Sequence, residues 1–202
     1  MQKKLPGAAF HKQMMPLHSI PIRPSGKKPV QAAVSVILYN VNKNDFEILL
    51  IKRAEYKGYH SGQISFPGGK ADKKDTSLID TAIRETYEEI GIKLKENECI
   101  SILTPLIIPI SGFEVTPFVF FIEKPDEFIL DKKEVKYIIY CKVSELLSTE
   151  VIKKVRLTID ERKLLAPCYN ISGEIVWGAT SMILAEFAEI LRRIKSKNPG
   201  LV

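Results

Sequence analysis

One stretch of this 202-residue chain leaves little conformational choice. Between Gly69 and Ile92, apolar side chains recur at Leu78, Ile79, Ala82, Ile83, Thr86 and Ile90, the spacing that places them along one face of an α-helix. Asp75 or Thr76 is suited to cap its start, and Gly91 to end it in a left-handed turn. The opposite face carries Glu85, Glu88 and Glu89 at i, i+3 and i+4. Like charges so placed cost roughly 0.2–0.5 kcal/mol per pair, and carboxylates near a helix C-terminus also oppose its dipole. Arg84 offsets part of this charge and the next lysine is Lys93, beyond the glycine, so a further cation is expected.

Strands surround the helix. AAVSVILY from Gln31 onward and FEILLIKR after the Asn40–Asp45 turn predict a hairpin, and QISF a short strand ending at Pro67-Gly68-Gly69. ECISILTPLIIPI, VTPFVFFIE and KYIIYCKV predict further strands, ELLS a short helix, and EIVWGATSMILAEFAEILRRI a long C-terminal helix. Strands mixed with helices without regular alternation predict an α/β (α+β) fold in which a mixed sheet is covered by helices. Residues 1–30, rich in Pro, Lys and His, predict an N-terminal extension packing on the domain, and 31–202 the domain itself.

The formal charge of +6 is scattered, with no long basic block, which favours small anions over nucleic acid as partners. Cys99, Cys141 and Cys168 are odd in number and widely spaced, so neither a disulfide framework nor a zinc set is expected and all three are read as reduced packing residues. The N-terminus has no continuous apolar segment of signal-peptide type. The longest apolar run is broken by Thr104, Pro105 and Pro109, so a membrane span is not expected and the cytoplasm is the default location. Trp177 is expected in the core. A homodimer is compatible with the sequence but not required by it.

A hard divalent cation is the best match for three glutamates beside a glycine pair whose backbone can approach a ligand closely. GGKADKKDTSLIDTAIRETYEEIGI resembles the Nudix box. Gly69, Arg84, Glu85, Glu88, Glu89, Gly91 and Ile92 match it, whereas the stretch is one residue longer, Asp75 replaces the early glutamate, and Thr86 stands at an apolar position. The resemblance implies the Nudix fold, a mixed β-sheet sandwiched between α-helices, and hydrolysis of a diphosphate with Mg²⁺ or Mn²⁺. Glu85, Glu88, Glu89 and the Gly69 carbonyl would hold the metal, Arg84 would orient a glutamate, and Glu85 or Glu134 would be the general base. Asp75 is either a helix cap or part of the site.

Upstream, LLIKRAEYKGYHSGQISFPGG resembles the motif of the coenzyme A diphosphatase branch, which also carries the longer box. It differs at Ile51, where the motif often has Thr, and at Gly58, where it often has Arg. This resemblance implies a coenzyme A-like substrate, cleaved to 3′,5′-ADP and 4′-phosphopantetheine, with Arg53, Lys52, Lys57, His60 and Gly68 as substrate contacts. The alternatives are a Nudix enzyme for another nucleoside diphosphate derivative, such as ADP-ribose or a dinucleotide, and a non-catalytic Nudix-like domain that binds nucleotides or RNA.

Overall fold

A computed structural model describes residues 5–16, 28–42, 45–55, 60–159 and 162–198, excluding the side chains at 159 and 162. Helix α1 (Ala8–Gln13) precedes β1 (Val30–Asn42) and β2 (Asp45–Arg53). Short strands β3 (Ile64–Ser65) and β4 (Gly68–Lys70) lead into α2 (Leu78–Ile90). Then come β5 (Cys99–Ile102), β6 (Leu106–Ile108), β7 (Phe113–Ile122), β8 (Val135–Lys142) and α3 (Val143–Leu147). Strands β9 (Ile152–Ile159), β10 (Arg162–Ile171) and β11 (Glu174–Val176) and helix α4 (Gly178–Lys197) complete the order.

β1 is the organising strand, because it is apolar on both faces as only a central strand can be. Ala33, Ile37 and Tyr39 point to one side and Val36 and Leu38 to the other, all buried. One edge of β1 pairs in parallel with β7, from Val30↔Phe113 to Tyr39↔Ile122. Its other edge is shared antiparallel: Ala32–Val34 pair with β4, and Leu38–Asn42 with β2. β8 and β3 extend the mixed sheet beyond β2, and β5 and β6 extend it beyond β7.

Both faces are covered, as the mixed pattern predicts. Ala82 and Ile90 of α2 close a core with Ala33, Ile37, Leu49 and Ile51. Ile183, Leu184, Phe187 and Ala188 of α4, with Leu146 of α3, close the other against Val36, Leu38, Ile48 and Leu50. Cys141 and Cys168 are buried and Cys99 half-buried, all three free thiols.

Two local expectations are corrected. Helix α2 is capped by Ser77, whose hydroxyl accepts from the Asp80 N–H at 3.3 Å, because Asp75 is engaged elsewhere. The C-terminal helix begins at Gly178 rather than Glu174. The positive φ of Ser172 (50°) and Gly173 (82°) turns the chain back, so Glu174–Val176 pair with Tyr169–Ile171 as β11. The resulting sheet, ordered β11-β10-β9, was not anticipated. Among the described residues no helix is long and apolar enough to cross a membrane.

The described part of the N-terminal segment is fastened to α4 by one carboxylate. Glu186 is fully buried. It accepts from the Gly7 N–H at 3.2 Å and from Thr104 Oγ1 at 2.7 Å, and its other oxygen meets His11 Nε2 at 2.9 Å. Burial would raise the Glu186 carboxyl pKa, but the bonds from His11 and Thr104 outweigh it and hold the pKa below its ordinary value. The stabilisation is therefore present above the unfolded carboxylate pKa and lost as pH falls through the lower folded value. Glu186→Gln should reduce the unfolding free energy at pH 7 by about 2–3 kcal/mol, in keeping with loss of charge-assisted bonds. Urea titrations should show that deficit shrinking toward pH 3, and an equal deficit at pH 3 and pH 7 would refute the assignment.

Candidate active site

The site forms where the shared edge of β1 passes from β4 to β2. Into it comes Glu89 from the last turn of α2, 1% exposed. One oxygen accepts from the Gly68 N–H at 2.9 Å and the other from Arg53 Nη1 at 3.2 Å, so the carboxylate ties α2 to both β2 and β4. Gly68 has φ 146°, and a Cβ there would collide with the Ala33 carbonyl, so only glycine can present this amide. Burial pushes the Glu89 carboxyl up to about 7. The Gly68 amide and Arg53 oppose that shift, whereas Glu85 and Glu134 add to it.

Glu85 lies one turn earlier, its carboxylate against Gly69, where a Cβ would occupy the same space. Its pKa is also raised, first by burial and then by Glu88 and Glu134 against the pull of Arg84. Arg84 donates to Glu85 at 2.8 Å, to exposed Glu88 at 2.9 Å and to the Lys70 carbonyl at 3.1 Å. Its Nε and Nη2 grip both Asp75 oxygens at 2.8 Å, a bidentate fork. That fork holds the Asp75 carboxyl well below the usual carboxylate range and raises the Arg84 pKa. Asp75 is thus an arginine anchor and not a helix cap.

Thr86, the departure from the apolar pattern, is buried. Its hydroxyl donates to Ser35 Oγ at 2.8 Å, and Ser35 donates to the Ala82 carbonyl at 3.2 Å. This bonded pair locks α2 onto β1 at the level of the glutamates. Ser35 escaped the sequence reading, although a lone serine inside AAVSVILY was the available signal.

The other sequence candidates are spread more widely. Glu134 is exposed, its carbonyl accepting from the Ala54 N–H at 2.7 Å, and its charge reaches both Glu85 and Glu89. Lys52 pairs with Glu174 at 3.1 Å, and Tyr137 also donates to Glu174, so Lys52 fastens β2 to β11. His60 has φ 66° and bonds Gln63 Oε1 through Nδ1 at 3.1 Å, a turn contact. Lys57 lies outside the described residues. Arg53, expected on substrate phosphate, is placed on Glu89.

A cleft of about 800 Å³ adjoins the cluster, and Arg53, Gly68, Gly69 and Lys70 line it. Trp177 lines it too and is only half-buried, which corrects its expected place in the core, because β11 delivers the ring to the cleft wall before α4 begins.

Asp75, Glu85, Glu88 and Glu89 face the guanidiniums of Arg84 and Arg53, so the ionised cluster carries two more negative than positive charges. Among the described residues no three His, Cys, Asp or Glu form a ready-made metal cage. What the site offers is hard carboxylate oxygen beside a glycine that cannot acquire a side chain, with a charge deficit of the size one divalent cation supplies.

The NUDIX domain family pattern matches residues 29–165. A protein of an Enterobacter species named as an uncharacterized Nudix hydrolase NudL is 35% identical over 161 residues, covering 78% of this chain and 81% of its own. One of the same name from Pectobacterium atrosepticum is 33% identical over 143 residues, 70% of this chain and 73% of its own. Among solved structures, a MutT protein from Methanosarcina mazei superposes with TM-score 0.55 at 19% identity, covering 83% of this chain and 98% of its own. A C. elegans Ap4A hydrolase gives TM-score 0.53 at 19% identity, covering 81% and 98%. The two structures speak to the fold alone.

Because the Glu89 pKa is raised in the fold, its contribution to stability is complete below the unfolded pKa near 4.5 and is lost as pH rises through about 7. In chelator, the wild type should lose up to about 3 kcal/mol between pH 5 and pH 8 from this group, and Glu89→Gln should lose correspondingly less. Parallel pH–stability curves for the two proteins in denaturant would contradict the buried-carboxylate assignment.

Proposed function

Since the chain belongs to the Nudix hydrolase family, we propose that it is a metal-dependent diphosphatase acting on coenzyme A or its derivatives, releasing 3′,5′-ADP and 4′-phosphopantetheine. The observation that carries the reading is the tie from Glu89 to Arg53 and Gly68. Both partners lie within the segment that resembles the coenzyme A diphosphatase motif, Arg53 near its start and Gly68 next to its end, so the same motif both braces the glutamate cluster and lines the cleft beside it.

Mg²⁺ or Mn²⁺ suits the donor set, since these ions take oxygen ligands and are commonly held by one or two carboxylates together with substrate phosphates. Glu85 and Glu89, with Glu88 and the Gly69 carbonyl, are the groups that would hold it. When bound, the ion supplies a lowered pKa for water and a positive charge beside the phosphates.

The protein's own groups do the rest. Asp75 fixes Arg84, and Arg84 fixes Glu85 and Glu88, so the carboxylates are positioned before substrate arrives. A water oxygen bonds to one phosphorus while the bridging P–O bond breaks, and the bridging oxygen leaves with the other phosphate. The water's proton passes to Glu134 or Glu85. Glu134 is exposed and close enough to influence both Glu85 and Glu89, whereas Glu85 lies within the cluster itself, its carboxylate against Gly69.

Activity on coenzyme A should require Mg²⁺ or Mn²⁺ and vanish in chelator. Glu85→Gln and Glu89→Gln should remain folded and lose about a hundred- to a thousandfold in kcat, as expected when a preorganised charge is removed. Turnover of coenzyme A at a near-normal rate by folded Glu89→Gln would sink the metal assignment. ADP-ribose hydrolysed well ahead of coenzyme A would overturn the substrate while leaving the family reading standing.

Arg53 supplies a separate test. As a brace for Glu89 it acts on every substrate alike, whereas an arginine reading the 3′-phosphate would favour the substrate that carries it. Arg53→Ala should therefore reduce kcat/KM for coenzyme A and for its 3′-dephospho form by the same factor. A loss confined to coenzyme A would return Arg53 to the phosphate.

A further inference from the structure

The cleft beside the glutamates has a chemical character that the diphosphate does not explain. Its walls are largely aliphatic, with Leu106, Ile108, Val115, Leu157, Met182 and Ile183 among them. Within these walls are polar atoms that lack partners. His60 Nε2, Ser65 Oγ and Ser111 Oγ are buried without a hydrogen bond among the described residues, and all three residues line this one cleft. Buried polar groups are almost always bonded, because leaving one unmade costs its full desolvation. The lining therefore calls for a ligand that is mostly hydrocarbon and carries a few spaced hydrogen-bonding groups.

Charge and length narrow the choice. Among the described residues, the only Lys or Arg in the lining are Arg53 and Lys70, and Arg53 already holds Glu89. Both belong to the end that touches Gly68 and Gly69. The register then carries the floor from Lys70 across Ala32 and Val115 to Leu106. Three interstrand steps of roughly 4.8 Å give a floor about 14 Å wide, along which no further lysine or arginine is found among the described lining residues. A nucleotide bearing an additional phosphate would find no cation there.

Resting on the proposed reading of the substrate, we propose that this cleft seats the pantetheine arm of coenzyme A and not its nucleotide half. The arm matches the lining group by group. Its methyl-substituted and methylene carbons suit the aliphatic walls, and its hydroxyl and amides supply acceptors and donors for Ser65, Ser111 and His60. His60 is thereby a specificity-determining contact to the arm and not a phosphate ligand. The diphosphate lies at the Gly68–Gly69 end, and the nucleotide extends out of the cleft beyond it.

Trp177, the protein's single tryptophan, reports on this cleft directly. The full-length protein is titrated separately with 4′-phosphopantetheine, with 3′,5′-ADP and with inorganic pyrophosphate, and Trp177 emission is followed in each case. 4′-Phosphopantetheine should shift the emission, and the other two should leave it unchanged. Ser111→Ala and His60→Ala should each weaken 4′-phosphopantetheine roughly fivefold, the effect of one lost hydrogen bond, without altering 3′,5′-ADP. An emission shift with 3′,5′-ADP, no shift with 4′-phosphopantetheine, or unchanged affinity in both variants would overturn the assignment. The two readings fail separately. Coenzyme A left intact with either metal, while the arm still binds, removes the proposed reaction alone. Coenzyme A hydrolysed while the arm leaves Trp177 untouched removes the cleft assignment alone.

Discussion

A carboxylate buried at a gap in a sheet is the constraint around which this protein is arranged. Glu89 lies where β1 exchanges one antiparallel partner for another, and there the Gly68 amide and the Arg53 guanidinium receive it. Each requirement of that arrangement fixes something else. The amide can be presented only by a residue without a Cβ, which accounts for Gly68. The guanidinium must come from the end of β2, which accounts for the basic residue closing FEILLIKR. Helix α2 must dock at one height, and the buried Thr86–Ser35 bond sets that height.

The same electrostatics connect structure to chemistry. Two glutamates with raised pKa values, held beside a helix C-terminus that disfavours them, form a site that is incomplete without added positive charge. The Asp75–Arg84 fork prevents the cluster from relaxing by swinging its side chains outward, since Arg84 also grips Glu85 and Glu88. Repulsion that would weaken an ordinary helix is stored as preorganisation. On the opposite face of the sheet from α2, α4 uses a buried glutamate differently. Glu186 has a full set of donors, and its role is to hold α1 against the domain.

Much of the site was legible because helical periodicity is local. The spacing of Glu85, Glu88 and Glu89 fixes their common face whatever surrounds them, and the glycines at 69 and 91 announce where the backbone must approach or reverse. Partners distant in sequence were not legible in this way. Arg53 and Lys52 were read as companions toward a substrate phosphate, and because successive residues of a strand point to opposite faces, the fold pairs them with Glu89 and Glu174 respectively. Asp75 looked like a cap because capping residues and arginine anchors share one side-chain chemistry. Trp177 looked like a core residue because the three-residue strand before it was absorbed into the helix pattern.

The amino-acid sequence by itself determined the class of fold, the central strand, the acidic helix and its glycine stop, since each rests on side-chain period and backbone freedom within a dozen or so residues. It also carried the family resemblance. Only the tertiary structure decided which arginine braces which glutamate, that Thr86 is bonded to Ser35, that a second small sheet forms after α3, and that an aliphatic cleft whose buried polar atoms find no partner among the described residues opens beside the carboxylates. These are pairings between segments tens of residues apart. Their energies depend on burial and on distances of a few ångströms, quantities that no local pattern of residues encodes.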